Sequence, residues 1–167
     1  MVKEVDHRAQ KVLDLLRKVK DPEIPVLTIE DLGILRGVQV DNQNRVTVKI
    51  TPTYNGCPAM NMIEHYIRMV LEEEGYCDFK IELVLTPAWT TDWISEEARQ
   101  KLKEYGIAPP KGQSGGKRSL LGIDLELECP HCGGNHTKLV SQFGSTACKA
   151  QYKCLDCLEP FEYFKCH

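Results

Sequence analysis

The sequence has no apolar stretch close to the roughly 20 residues that a membrane-spanning helix needs. It also lacks an excess of positive charge, because 21 Lys and Arg residues stand against 24 Asp and Glu residues. The resulting net charge of −3 gives no general attraction to nucleic acid or to an anionic lipid surface. The first residues, 1–8, are polar and charged and do not form the apolar core of a secretory signal. We therefore expect a cytoplasmic protein that binds neither nucleic acid nor membranes.

Cysteine, by contrast, is plentiful, with eight residues in a chain of 167. Disulfides are rare in the cytoplasm, so this number favours metal binding or thiol chemistry. Six of the cysteines follow residue 128, which predicts two modules. These are an α+β domain over residues 1–108 and a cysteine-rich module over residues 120–167. Residues 109–119 are rich in proline and glycine and have the composition of a linker.

The first module has the pattern of a small mixed β-sheet with helices. Its hydrophobic periodicity predicts, in order, a helix over 4–19, a strand over 34–40, a strand that ends at Thr51, a helix over 58–74 and a strand over 79–85. A strand–helix–strand crossover normally joins parallel strands, so the sheet should combine one hairpin with one parallel strand. Thr91 and Asp92 are candidate caps of a last helix that should end near Gly106.

Cys57 lies where the second of these strands gives way to the long helix. The neighbouring Pro58 suits the first turn of that helix, where a missing N–H costs nothing. The unpaired N–H groups and the dipole at a helix N-terminus favour an anion, so we expect a thiolate that binds metal or acts as a nucleophile. Most free cysteines are simply buried apolar side chains. Cys57, however, follows a polar loop and lies off the apolar face of the helix, which favours a functional role.

The second module contains two CxxC pairs, a strong signal for a structural zinc site with four thiolate ligands. The predicted ligands are Cys129, Cys132, Cys154 and Cys157. Residues 137–143 and 161–164 should supply the strands of a zinc ribbon, and metal binding would stabilise so small a module. Four sulfurs also suit an iron–sulfur cluster, and spacing does not separate the two.

Three potential ligands of the second module are not needed by this site, namely Cys148, Cys166 and His167. One of them could replace a predicted ligand, or they could form a second site for a soft metal. The lysines of the module are outnumbered by its acidic residues and form no basic stripe, so the module should dock protein rather than nucleic acid.

Several motifs carry a resemblance to known proteins. Asp21-Pro-Glu23-x-Pro25, Asp31-Leu-Gly33 and Thr51-Pro-Thr53 followed by Gly56-Cys57-Pro58 resemble the MIP18 (DUF59) family of iron–sulfur assembly proteins, over about residues 8–90. The two CxxC pairs, with Phe143-Gly-Ser-Thr-x-Cys148-Lys149 between them, resemble the phenylacetate-degradation protein D type. Proteins of that type are accessory components of the bacterial phenylacetyl-CoA epoxidase, a ring oxygenase.

The resemblance implies a MIP18-like fold followed by a zinc ribbon. It implies that Cys57 is the thiol on which iron–sulfur work depends, and that Asp31 and Thr53 belong to the same site beside Glu23. The partners it implies are the oxygenase and reductase components of the epoxidase.

Our leading hypothesis is a maturation factor, without catalysis of its own, that helps to insert an iron–sulfur cluster or iron into the epoxidase of aerobic phenylacetate degradation. A cluster needs about four ligands. With one well-placed thiolate per domain, it would sit between two copies of Cys57 in a homodimer, completed by small thiols, or between Cys57 and a partner. A non-catalytic scaffold subunit of the oxygenase complex is the alternative. A thiol enzyme with Cys57 as nucleophile ranks third, because the motif has no neighbouring histidine and His7 or His65 would have to approach it in space.

Overall fold

The structure is a computed structural model that describes residues 7–111 and 126–165. Most of the predicted linker, together with Cys166 and His167, therefore lies outside the described residues. The chain divides into two compact units, Met1–Trp89 and Thr90–His167. In the part of the chain that is described, no helix combines the length and the apolar character needed to cross a membrane.

From residue 7 onward, the first unit shows two helices and three strands. In chain order these are α1 (His7–Leu16), β1 (Leu35–Val40), β2 (Val46–Ile50), α2 (Ala59–Glu73) and β3 (Phe79–Leu83). The three strands form one sheet in the order β1-β2-β3, with β1 antiparallel and β3 parallel to β2. This confirms the predicted combination of a hairpin with a parallel strand reached through a helix. The element boundaries agree with the expected ones to within a few residues.

The core of the first unit lies on one face of the central strand. Alternate residues of β2 are completely buried, while the residues between them are only half-buried. The apolar stripes of both helices are buried as well, as expected from their periodicity. The buried members of these three elements include Val12, Leu16, Val46, Val48, Ile50, Ile63, Ile67 and Leu71. Strand β3 is an edge strand in the described sheet, and its last residue, Leu83, is 51% exposed.

Over residues 90–111 and 126–165, the second unit shows a 3₁₀ turn (Thr91–Trp93), one further helix and four strands. These are α3 (Glu96–Glu104), β4 (Ile107–Ala108), β5 (Thr137–Ser141), β6 (Lys149–Cys154) and β7 (Pro160–Phe164). The strands form a sheet in the order β4-β7-β6-β5, with β4 parallel to β7 and the other pairs antiparallel. One face of this sheet carries a core that includes Ala108, Leu127, Tyr152, Phe161 and Tyr163.

Two details of the predicted last helix are corrected. Its N-cap is Ser95, whose hydroxyl accepts a hydrogen bond from the amide of Ala98 at 3.1 Å. Thr91 and Asp92 lie instead in the separate 3₁₀ turn, which Thr90 caps. The predicted end is confirmed, because Gly106 follows the helix with a φ of +91° that favours glycine.

The division into units differs from the predicted domain limits. Composition places the boundary after residue 108, whereas α3 and β4 belong to the compact unit that begins at Thr90. The physical reason is the pairing of β4 with β7, which adds a strand from outside the cysteine-rich segment to its sheet. Composition identifies polar, glycine-rich segments but does not reveal which neighbouring element a two-residue strand joins.

Candidate functional site

Three segments of the first unit meet at one end of its sheet. The amide of Thr51, just after β2, donates to the carbonyl of Ile34, just before β1, at 2.9 Å. On the other side, the amide of Val84, just after β3, donates to the carbonyl of Ile50 at 2.8 Å. The turn before β1, the loop after β2 and the segment after β3 are therefore neighbours. Cys57 belongs to the second of these segments.

Cys57 occupies the last position of a tight turn directly before helix α2. Its amide donates to the carbonyl of Tyr54 at 3.2 Å, and its own carbonyl accepts from Met60 at 3.3 Å. Gly56 supplies the left-handed conformation that the turn requires, with a φ of +80°. Pro58 is the N-cap and makes no side-chain capping bond. The thiol is half-buried, so it is neither fully exposed nor enclosed in the apolar interior.

Asp31 caps the turn that precedes β1. Its carboxylate accepts from the amide of Thr28 at 3.0 Å, and the hydroxyl of Thr28 accepts from the amide of Asp31 at 3.1 Å. This reciprocal pair has the form of a capping box and satisfies two backbone donors. The carboxylate thus has a structural task in the turn in addition to any role toward Cys57.

The segment after β3 is fixed to the same turn by Trp89. The indole N–H donates to the carbonyl of Leu32 at 2.7 Å, and the side chain is 5% exposed. This contact joins residues 57 positions apart, so neither periodicity nor spacing could reveal it.

The other two predicted site residues, Thr53 and Glu23, lie in two separate loops of the same unit. Thr53 is buried in the loop that leads to Cys57. Glu23 is half-buried in an earlier loop, which is closed by a bridge between Lys20 and Thr28. The fold thus brings the segments of Asp31, Thr53 and Cys57 to one end of the sheet, and Glu23 lies in the segment that leads to them. Their shared role remains a prediction.

The four predicted metal ligands of the second unit come together as one cluster. The ligand atoms of Cys129, Cys132, Cys154 and Cys157 all lie within 4.8 Å of one another. The closest sulfur pairs are 3.6 Å and 3.8 Å apart. Sulfurs bound tetrahedrally to one zinc ion at about 2.3 Å would be about 3.8 Å apart. The donor set and its spacing therefore fit a structural zinc ion.

Backbone amides donate hydrogen bonds to one sulfur of this cluster. The amide of Cys157 donates to the sulfur of Cys154 and, with the Asp156 amide, lowers the pKa of that thiol to about 7. Burial raises the pKa of the Cys129 thiol. A dication that binds all four sulfurs would replace their protons and compensate their mutual repulsion.

The other potential ligands that the structure describes in the second unit are not part of the cluster. Cys148 is buried, and its sulfur lies 3.0 Å from the hydroxyl of Thr146. His136 pairs with Asp156 at 2.9 Å, and this hydrogen bond raises the pKa of the imidazole. His131 is exposed. Within residues 7–111 and 126–165, the metal-binding group consists of the four predicted cysteines alone.

Sequence reasoning missed a buried ion pair between strands β6 and β7. The Lys149 ammonium lies 2.8 Å from the Glu162 carboxylate, and their side chains are 4% and 21% exposed. Glu162 also accepts the amide of Ser145 at 2.6 Å. A Cβ at Gly144 would lie 2.6 Å from the same carboxylate, so a side chain at this position would have to displace the Glu162 carboxylate. The pair fixes the loop between β5 and β6.

Two protein-family models match different parts of the chain. The family described as iron–sulfur cluster assembly protein matches residues 9–75, and the family described as PaaD zinc beta ribbon domain matches residues 113–165. The two matches coincide with the segment that carries Cys57 and with the segment that carries the cysteine cluster.

Individual relatives extend these matches. A protein of Escherichia coli named as a subunit of 1,2-phenylacetyl-CoA epoxidase is 46% identical over 159 residues, which covers 95% of this chain and 93% of the relative. An Fe-S protein maturation auxiliary factor of Porphyromonas gingivalis is 40% identical over 94 residues, 56% of this chain and 89% of the relative. The crystal structure of a DUF59 domain from Bacillus anthracis, 26% identical, superimposes with a TM-score of 0.54 and covers 58% of this chain and 92% of that domain.

Proposed function

This chain belongs to the iron–sulfur cluster assembly (MIP18, DUF59) family, in the type that carries a PaaD zinc ribbon, and on that premise we propose a function in maturation. The protein is a cytoplasmic accessory factor that carries an iron–sulfur cluster, or iron, on Cys57 and delivers it to a component of the phenylacetyl-CoA epoxidase. It performs no catalysis of its own.

The observation that carries the proposal is the position of Cys57. The thiol is half-buried in a turn at the N-terminus of a 15-residue helix, where the first backbone N–H groups have no partner within the helix. The turn of Asp31 and the segment of Thr53 converge on the same end of the sheet. A single thiolate supplies one of about four ligands, so its cargo must be completed by other groups. A second copy of Cys57 in a homodimer or a cysteine of the client would supply one more ligand, and small thiols would complete the set. The low number of protein ligands suits transfer.

The second unit would serve recognition. Its four cysteines are occupied by a structural zinc ion in this proposal and are therefore unavailable for cargo. Docking through this unit would hold the client while the cargo moves from Cys57. The names of the relatives, one an epoxidase subunit and one a maturation auxiliary factor, agree with this combination.

The test is anaerobic reconstitution of the full chain with ferrous iron, sulfide and a small thiol, with zinc already bound. We expect visible absorption from a sulfur-ligated iron species in the wild type, transfer of iron to an apo component of the epoxidase, and loss of both in Cys57→Ser. Cys77→Ser is the matched control, because Cys77 is an exposed thiol of the same unit. Equal iron uptake by wild type and Cys57→Ser would refute the proposal.

A scaffold role is the second candidate, and the naming of the Escherichia coli relative as an epoxidase subunit favours it. A scaffold would remain in the complex in a fixed ratio and would not need the thiol. Full epoxidase activity in cells that carry Cys57→Ser, together with co-purification of the protein, would support this role over maturation.

A further inference from the structure

Thr51 carries a polar group that the fold leaves without a partner. The residue is 1% exposed, and its hydroxyl oxygen makes no hydrogen bond. Among residues 7–111 and 126–165 it is the only buried side-chain nitrogen or oxygen atom in this condition. Nearly all buried polar groups of folded proteins are paired, because an unpaired one forfeits its hydrogen bonds with water.

The position of Thr51 relates this hydroxyl to the Cys57 site. The amide of Thr51 donates a hydrogen bond to the carbonyl of Ile34, which directly follows the Asp31 turn. The carbonyl of the preceding residue, Ile50, accepts a hydrogen bond from the amide of Val84. Thr51 therefore lies at the meeting point of the three segments described above. It opens the loop that ends at Cys57, and Pro52 and Thr53, which follow it, are buried as well.

The apo fold gains nothing from this hydroxyl. A valine has nearly the same shape, suits a strand end at least as well, and would leave no polar atom unpaired. A hydroxyl that is costly in the empty protein is explained if a bound state supplies its partner.

We infer that Thr51 is a positioning residue whose hydroxyl donates a hydrogen bond to the sulfur-bound cargo of Cys57, with a thiolate or sulfide sulfur as acceptor. Hydrogen bonds to sulfur stabilise sulfur-ligated iron and shift its electronic properties. The inference rests on the proposed function. It adds to it a residue whose hydroxyl has a hydrogen-bond partner only when Cys57 carries its cargo.

The test compares Thr51→Val, which removes the hydroxyl, with Thr51→Ser, which keeps it. In the empty protein, Thr51→Val should raise the melting temperature of the first unit by about 3 °C or more, because an unpaired buried hydroxyl is lost. Thr28→Val is the control, since the Thr28 hydroxyl has a partner at 3.1 Å and its loss should lower the melting temperature.

In the reconstituted protein, Thr51→Val should hold its iron about tenfold more weakly or worse, and the sulfur-to-iron absorption band should shift. Thr51→Ser should restore both properties. A lower melting temperature in Thr51→Val, with iron binding like that of the wild type, would overturn the inference and identify the hydroxyl as part of the static fold. Unchanged iron binding and an unchanged band in Thr51→Val would overturn it equally. Failure of the proposed function itself is recognised separately, because wild type and Cys57→Ser would then bind iron alike.

Discussion

Removal of the Lys149 cation should destabilise the second unit by about 3 kcal/mol. Breaking a buried ion pair usually costs about 3–5 kcal/mol, because the remaining charge stays buried without its partner. Glu162 keeps a fifth of its side chain exposed and keeps its bond from Ser145, so Lys149→Met should lie at the low end of that range. Glu162→Gln should cost about 2 kcal/mol, since an amide still accepts a hydrogen bond but leaves Lys149 uncompensated.

The double variant provides the decisive comparison. Lys149→Met combined with Glu162→Gln removes both charges, and it should recover about 2 kcal/mol relative to the two single losses taken together. Unfolding is measured by guanidinium titration of the zinc-loaded chain, with zinc release to a chromophoric chelator as the signal of the second unit. The control is Lys103→Met, because the Lys103–Glu128 pair is equally short at 2.7 Å but exposed at 41% and 49%. Its loss should cost less than about 1 kcal/mol.

The stability of the second unit should also depend on pH through the Lys149–Glu162 ion pair. Partial burial alone would raise the pKa of Glu162, but hydrogen bonds from Lys149 and Ser145 outweigh it and hold the pKa below its ordinary value. A depressed carboxylate pKa stabilises the fold fully above the unfolded value of about 4.3, and this stabilisation is lost as the pH falls through the folded value. The wild type should therefore lose more stability than Glu162→Gln on acidification below about pH 5. The reasoning would be refuted if wild type and Glu162→Gln lost equal stability in acid. It would also be refuted if the stability loss of the double variant equalled the sum of the two single losses.

Three further outcomes are expected. Leu158→Gly should stabilise the second unit by about 1 kcal/mol in the same titration, because Leu158 has a φ of +66° at the position that Gly133 occupies after the first CxxC pair. An unchanged or lower midpoint would contradict this. Cys132→Ser should abolish tight zinc binding and unfold the second unit while the helical circular dichroism of the first persists, and full retention of zinc would disprove the ligand assignment. Trp89→Phe should lower the stability of the first unit by about 1–3 kcal/mol through the unpaired carbonyl of Leu32, which thermal melting would detect.

The features that the sequence predicts well are those fixed by local spacing. Each CxxC pair forms one tight turn, so the four-cysteine cluster follows from residue positions alone. The hairpin, the crossover helix and the mixed sheet likewise follow from periodicity. The capping role of Asp31 was also accessible, because Thr28 and Asp31 have the three-residue spacing of a capping box.

The features that sequence reasoning did not reach depend on contacts between distant residues or on very short elements. The bond from Trp89 to Leu32 spans 57 positions, and β4 has only two residues, too few to show a period. The burial of Lys149 is equally inaccessible, since lysine is normally exposed and its partner lies on the next strand. The unpaired hydroxyl of Thr51 requires a complete account of donors and acceptors, which needs coordinates.

The pairing of β4 with β7 has a consequence for how such proteins are cut and recombined. The zinc-ribbon match begins at residue 113, yet Ile107 and Ala108 pair with Glu162 and Tyr163, and Ala108 packs against the aromatic side chains of the ribbon. An expression fragment that starts at residue 113 would lack β4, so β7 would become an unpaired edge strand. Such a fragment should aggregate through this edge. A fragment that starts at Thr90 retains β4 and therefore keeps the edge of β7 paired. The zinc ribbon, cut at residue 113, is therefore not an independent structural unit, and a transfer of this segment into another protein would have to include β4.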